Sequence, residues 1–485
     1  MTIFSACRNG YNRWLRRGPR DFSLGLTLFL IGLLFVCLPV LATHPWALKA
    51  SDLTVHNQPQ TVPAARVEQL KEQQERIAPA RFDLRRHPVT DAQETHWRQT
   101  LWATAVLEPQ RADIAEAVAA IVSLTQRPQL SVSQAKTVHM AMQIGTQLYL
   151  SNPDLYGAIG DRFWDTVQTS PHPKWAAMAL SALFQDGQDG FYQVTKPSEM
   201  TGAKHPTKSD ALINLRTRFA GQESLVFNIA LRALQEQLQP RPLPPLDDLL
   251  TWQVAPQQAQ IEVFCRPNRD VLCLGLLKDR QGQWLREADG SLWQVPLLAR
   301  SLHGLRWNYI RGATPQGIYR VEGTMPRSTT TYFRAFGQFP LLKMFMPFER
   351  GVTTFVPPQR GNLSAAVPVY QALWPASWRG YFPIEQAYWA GRRGRGLIRI
   401  HGSGEPPAFF SNNERAPQSY AWNPAIGCLS AIELYDDAGR LQQADMPKIL
   451  QAFNAAAGGK VEGYVVLVDV PGGDRPVTPE ELGLV

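Results

Sequence analysis

Apolar positions fall into three textures along the chain. Phe22–Leu41 is a run of twenty residues without a charge (FSLGLTLFLIGLLFVCLPVL). At about 1.5 Å per helical residue such a run crosses a hydrocarbon core of roughly 30 Å, so the pattern predicts a transmembrane helix. From Asp91 to Gln239 apolar residues recur at helical spacing, which predicts helices at Ala112–Leu124, at Ser133–Leu150 with Ser133 as N-cap, at Lys174–Phe184 and at Glu223–Gln239. Pro240, Pro242, Pro244 and Pro245 then forbid continuous helix and favour an extended linker. Beyond them short β-rich runs take over at Ile261–Phe264, Val271–Leu277, Gln283–Val295, Gly317–Glu322 and Leu397–Ile400.

The chain therefore reads as multidomain: a cytoplasmic basic N-terminus (1–21), a transmembrane anchor (22–42), a polar, proline-broken tether (43–90) and an all-α region (91–239). A Pro-rich linker (240–257), a mainly-β domain (258–472) and a C-terminal tail (473–485) follow. Within the tether a short helix is expected at Val67–Ile77. A length of 485 residues excludes a minimal binding module, and 44% hydrophobic with 19% charged residues excludes global disorder.

Charge orients the anchor. Arg8, Arg13, Arg16, Arg17 and Arg20 precede the apolar run with no acid among residues 1–20, so the positive-inside rule keeps the N-terminus cytoplasmic. The expected location is a single-pass inner (cytoplasmic) membrane protein with its remainder facing the periplasm or cell envelope. A cleavable signal ending at Val40-Leu41-Ala42 is the competing reading, and it too exports the chain. Of the formal net charge of +8, these five arginines account for five, leaving +3 and a weak nucleic-acid footprint. Residues 301–400 nevertheless hold thirteen Arg or Lys against three Glu, interleaved with Trp307, Trp374, Trp378, Tyr381 and Trp389. This reads either as a solvated face over core aromatics or as an insertion whose cations and rings meet an anionic sugar-bearing ligand.

Three segments of the β region carry chemistry. Ala313-Thr314-Pro315-Gln316-Gly317 is a turn leading into a strand; Arg399-Ile400-His401-Gly402-Ser403 is a strand ending on a histidine and a glycine-rich turn. Asn423-Pro424-Ala425-Ile426-Gly427-Cys428-Leu429-Ser430 sets a cysteine after a glycine, before a stretch (Ala431–Tyr435) that reads as a helix start. Each alone has an ordinary structural explanation: turn punctuation, a surface histidine, a buried cysteine. A thiol near pKa 8.5 needs a neighbouring imidazole to ionise at neutral pH, and a preceding glycine lets backbone approach a developing oxyanion.

In combination and in this order the segments resemble the L,D-transpeptidase catalytic domain of the YkuD type, over roughly the last 45% of the chain. The resemblance implies a mainly-β catalytic domain with Cys428 as nucleophile and His401 as base. It implies oxyanion donors at the backbone of Gly427 and Gly402, and substrate contacts around Thr314, Gly317, Arg399, Ser403 and Ser430. The implied chemistry is thioester formation on a peptidoglycan stem peptide and transfer to an amine, with no metal and no cofactor. Hydrolysis on the same framework, as an L,D-carboxypeptidase or amidase, and a catalytically silent wall-binding scaffold are the alternatives. The chain departs from the family where Ala425-Ile426 replaces Ser-His or Ser-Lys, and where Ser430 stands in place of an arginine. His303-Gly304 is a second His-Gly pair, but it precedes the Thr-Pro turn.

The five cysteines sort by position. Cys7 is expected in the cytoplasm and Cys37 in the span; Cys265 and Cys273 flank a hairpin loop, which leaves a disulfide between them open. Cys428 is left over, and an unpaired thiol in an oxidising compartment is a liability unless buried or used. The helical region is a spacer or a partner-binding module whose partner the sequence does not name.

Overall fold

The computed structural model describes residues 53, 63–185, 206–222, 224–326, 337–404, 418–436, 438 and 440–484. Residues from Leu48 to Val485 form one compact unit, in which a helical layer and a β-sheet are packed together.

The helical layer comprises α1 (Pro63–Arg76), α2 (Glu94–Leu107), α3 (Ala112–Ser123), α4 (Val132–Ser151), α5 (Gly157–Thr169), α6 (Pro173–Phe184), α7 (Lys208–Arg218) and α8 (Leu225–Leu238). The N-cap of α4 is Ser131, two residues before the expected Ser133: the Ser131 hydroxyl accepts from Gln134 N while the Gln134 side chain accepts from Ser131 N, a reciprocal capping box. Small residues let the helices close on one another. A Cβ on Gly160 of α5 would meet the Tyr149 ring of α4 at 2.5 Å.

The expected transmembrane helix is corrected. Among the described residues no helix is long and apolar enough to cross a membrane, and the run Phe22–Leu41 lies outside them. The longest described helix, α4 with 20 residues, exposes Lys136 and buries Gln143 and Gln147, a polarity that suits packing against other helices and not a lipid phase. The tether also differs from expectation from Pro63 onward. Ile77 and Phe82 are buried in the helical core, and Arg111 donates to Ile77 O at 2.6 Å, so apolar anchors outweigh the proline-broken composition. The Pro-rich linker is packed too: its short helix α9 (Leu246–Leu250) buries Leu249, and Lys278 Nζ donates to Trp252 O at 2.8 Å.

The main sheet has eight strands: β1 (Ala259–Cys265), β2 (Cys273–Lys278), β3 (Gln294–Leu297), β4 (Gly317–Met325), β5 (Leu341–Phe345), β6 (Arg399–Gly402), β7 (Leu429–Ala431) and β10 (Glu462–Asp469). Their order is β3-β2-β1-β10-β4-β5-β6-β7; β1–β10 and β6–β7 are parallel and the other pairs antiparallel. The two ends of this order meet. Leu298 N donates to Ser430 O at 2.8 Å and Ser430 N to Leu298 O at 2.9 Å, so the sheet closes on itself beside Cys428. Closure removes exposed edges. Ala431–Tyr435, expected to start a helix, is drawn instead into β7 and β8 (Glu433–Tyr435), which pairs with β9 (Leu441–Ala444). Long-range pairing overrides local helix propensity there.

Both faces of the sheet are covered, which is why its strands read as nearly continuous apolar runs. Ile261, Val263, Tyr319, Leu342, Ile400 and Val465 share one core with Met446, Ile449 and Phe453 of α12 (Met446–Ala456). Phe264, Leu276, Ile318 and Val466 pack on the other side against Trp374, Trp378, Tyr370 of α10 (Val367–Gln371) and Tyr388 of α11 (Gln386–Arg392). Those aromatics, with Trp307, are core. Cys265 and Cys273 follow the β1–β2 register with Cα atoms 4.2 Å apart and form a disulfide.

A loop between β3 and β4 joins the layers. His303 Nδ1 lies 3.0 Å from Gln147 Oε1, Gln143 Nε2 donates to Ile310 O at 2.9 Å, and Tyr309 Oη donates to Ala177 O at 2.9 Å. The second His-Gly pair is thus a buried contact between helices and sheet.

Candidate functional site

The parallel pairing of β6 with β7 builds the site. Its register sets Ile400 opposite Leu429, His401 opposite Ser430 and Gly402 opposite Ala431. Ile400, Leu429 and Ala431 enter the apolar core, and strand alternation turns Arg399, His401 and Ser430 to the other face. Cys428 immediately precedes β7, next to Arg399 at the start of β6.

The thiol is 8% exposed and donates to Leu397 O at 3.6 Å, toward the beginning of β6 and away from His401. His401 is buried, with Nδ1 at 2.8 Å from Gly402 O. Because a carbonyl only accepts, Nδ1 carries the proton and Nε2 is the basic nitrogen of the neutral ring. Burial pushes the His401 pKa down to about 4, partly offset by that carbonyl. Burial also pushes the Cys428 thiol up, opposed by Arg399 and Arg395. At neutral pH a protonated thiol at the start of β7 therefore lies beside the strand that carries a neutral imidazole, and the hydrogen bonds of the two side chains run to Leu397 O and Gly402 O respectively.

Gly427 is required on two counts. Its φ of 133° is a glycine conformation, and a Cβ there would lie 2.5 Å from Arg395 Nη2 and 3.3 Å from Gly312 O. Thr314 Oγ1 lies 3.3 Å from Cys428 O and 3.4 Å from Ala299 O, holding the backbone under the thiol. Ser430 Oγ donates to Asn423 O at 2.9 Å, and Glu433 N donates to Ser403 Oγ at 3.2 Å, so both hydroxyls tie backbone segments together. Gly402 leaves room for Glu433, whose Oε2 would be 2.0 Å from a Cβ at that position. Gly317 sits apart from the thiol: a Cβ would meet Ala387 Cβ at 2.5 Å and Tyr370 Oη at 2.6 Å, which makes it a packing glycine between β4 and the segment before β6.

Arg399 donates to Met344 O at 2.6 Å and lies 3.6 Å from Glu349, which also accepts from Leu397 N at 2.9 Å. Part of the positive charge of residues 301–400 is likewise internal: Arg320, which pairs with Glu462, is buried, as are Arg395 and Arg399, whereas Arg350, Arg360, Arg379 and Arg392 are exposed. Sequence reasoning did not single out Arg395, Glu349 or Glu433. The run Gly391-Arg392-Arg393-Gly394-Arg395-Gly396 was the available signal, since glycines in the left-handed region, as Gly394 is, let the chain reverse and carry one of the neighbouring cations inward. A separate surface groove of about 440 Å³ lies between α7 and α8, lined by Arg216, Phe219, Phe227 and Arg232, and shares no residue with this site.

No family model, no curated protein and no solved structure matches the chain.

Proposed function

We propose that the chain is a cysteine acyltransferase of the L,D-transpeptidase type acting on peptidoglycan stem peptides. The observation that carries the reading is the parallel β6–β7 pairing, which sets the segment that begins at Cys428 beside the strand that carries His401, with His401 opposite Ser430. In this mechanism His401 Nε2 takes the thiol proton and the sulfur attacks a stem-peptide carbonyl. Backbone N–H groups at Gly427 and Cys428 receive the oxyanion. The C–N bond then breaks, the terminal D-alanine leaves as an amine carrying that proton, and a thioester remains. An acceptor amine then attacks the thioester and gives a proton to His401 Nε2, the C–S bond breaks with its electron pair on sulfur, and the thiolate takes that proton back to restore the resting thiol and neutral imidazole. The Cys265–Cys273 disulfide supports work in an oxidising compartment such as the cell envelope.

A second reading, a silent wall-binding scaffold, is favoured by one observation: the thiol is turned to Leu397 O and held protonated by burial. Intact mass after incubation with a carbapenem separates the two. A single adduct that disappears in Cys428→Ala is expected; a folded protein that never forms it supports the scaffold. Crosslinks between diamino-acid residues in treated sacculi then distinguish transfer from hydrolysis.

A further inference from the structure

We propose that Arg395 is the positioning cation for the anionic form of Cys428. Arg395 follows Gly394, whose φ is 83°, in the turn between α11 (Gln386–Arg392) and β6. Its side chain folds inward and is 8% exposed at the residue level. Nη2 donates to Gly312 O at 2.9 Å, and Nη1 donates to Ala313 O at 3.2 Å and to Trp307 O. The same Nη2 lies 2.5 Å from where a Cβ on Gly427 would be, so the guanidinium is laid against the residue preceding the thiol.

The charge balance is what distinguishes it. Arg320 has Glu462, Arg266 has Glu481 and Arg399 has Glu349, whereas among the described residues Arg395 has carbonyl acceptors and no carboxylate. A buried cation without a counter-ion is costly, and a carbonyl dipole offsets only part of that cost. An anion formed at Cys428 supplies the missing charge, and the step is ionisation alone: the S–H bond breaks, its electron pair stays on sulfur and the proton leaves to a base. The other charged or titratable groups around the thiol are Arg399 and His401 on β6 and Glu349 after β5; Tyr319 of β4 and Arg393 act on Arg395 itself. Glu349 opposes ionisation and is engaged by Arg399, which leaves Arg395 as the cation whose charge is unspent.

This rests on Cys428 being the nucleophile, but its test does not use wall chemistry. Thiolate absorbance at 240 nm is titrated in the full chain against Cys428→Ser, which removes every other chromophore by difference. Arg395→Met is expected to raise the midpoint by about one pH unit, a tenfold loss of thiolate, while Arg395→Lys stays within about half a unit of the parent. An unmoved midpoint in Arg395→Met, or an Arg395→Lys midpoint moved as far as that of Met, overturns the proposal. A second pair leaves Arg395 intact: Cys428→Asp is expected to melt no lower than Cys428→Asn at pH 7, and a lower melting temperature for the Asp variant also overturns it. If the titration shifts as expected but no carbapenem adduct forms, the assignment of Arg395 stands and the transpeptidase reading fails.

Discussion

The Cys428 thiol donates to the carbonyl of Leu397 at 3.6 Å, and Leu397 holds that carbonyl in place with a φ of 62°. A leucine in the left-handed region costs roughly 1–2 kcal/mol, and this side chain recovers little because it is 75% exposed. Glu349 fixes the conformation by accepting from Leu397 N. Leu397→Gly is therefore expected to leave stability unchanged or raise it by up to about 1 kcal/mol in urea unfolding. A loss larger than that would mean that the leucine side chain, and not the backbone, is what the turn needs.

Burial sets the resting reactivity of the thiol. Burial raises the Cys428 pKa, so the neutral thiol dominates at pH 7 and the thiolate fraction still climbs above the pH at which an exposed cysteine is half ionised. Iodoacetamide labelling of Cys428, followed by peptide mass mapping, is expected to be slower at pH 7 than labelling of an exposed thiol and to keep accelerating beyond pH 8.5. Labelling already at its plateau by pH 7 would contradict this.

Gly427→Ala forces a Cβ toward Arg395 Nη2 at a φ that side chains avoid. The expected cost is on the order of 1–3 kcal/mol in chemical denaturation, together with loss of carbapenem acylation at temperatures where the variant stays folded. Gly402→Ala, which would press a methyl onto Glu433, serves as a comparison that perturbs the strand without touching the Arg395 contact.

The clearest elements in the sequence were those decided locally. The helix expected at Ala112–Leu124 is observed at Ala112–Ser123, and the one expected at Lys174–Phe184 at Pro173–Phe184, because apolar periodicity and a proline at the first turn are local signals. The cap of α4 was misjudged by two residues because the deciding partner is Gln134, three positions after Ser131. Barrel closure was not legible, since it depends on Leu298 meeting Ser430 across most of the β region. For the same reason Arg395 looked like one member of a basic cluster: its acceptors, Trp307, Gly312 and Ala313, reach it only through the fold. Cys428 and His401 were legible as motifs, yet the direction in which the thiol points was not, because it follows from the backbone turn at Leu397.

Buried histidines predict acid sensitivity. Burial holds His139 and His303 at about 3 and His401 at about 4, well below the usual 6.5. The unfolded chain takes up these protons first, so each group contributes stability that is present above about pH 6.5 and is lost as pH falls toward its folded value. The slope is about 1.4 kcal/mol per pH unit for each proton. Urea midpoints measured from pH 7 to pH 4.5 are expected to fall, and to fall less steeply in His303→Gln, which keeps an amide opposite Gln147 but cannot take up a proton. Equal slopes in parent and variant would exclude His303 from the effect.

The helical layer is expected to act on the cysteine through Tyr309. Its hydroxyl donates to Ala177 O of α6 at 2.9 Å and lies 2.9 Å from Ser181 Oγ, while its own carbonyl accepts from Gly312 N at 2.9 Å. Gly312 O in turn receives Arg395, whose guanidinium lies against Gly427. Tyr309→Phe leaves a buried hydroxyl and a carbonyl underpaired, which should cost about 1–3 kcal/mol. It also frees the loop to shift, and small displacements of a supporting backbone slow a positioned reaction strongly, so carbapenem acylation of Cys428 is expected to slow roughly tenfold while the protein remains folded. Ser181→Ala removes one partner and should do less on both counts. Acylation that is unchanged in Tyr309→Phe despite the lost stability would make the helical layer a support for the barrel alone, with no hold on the nucleophile.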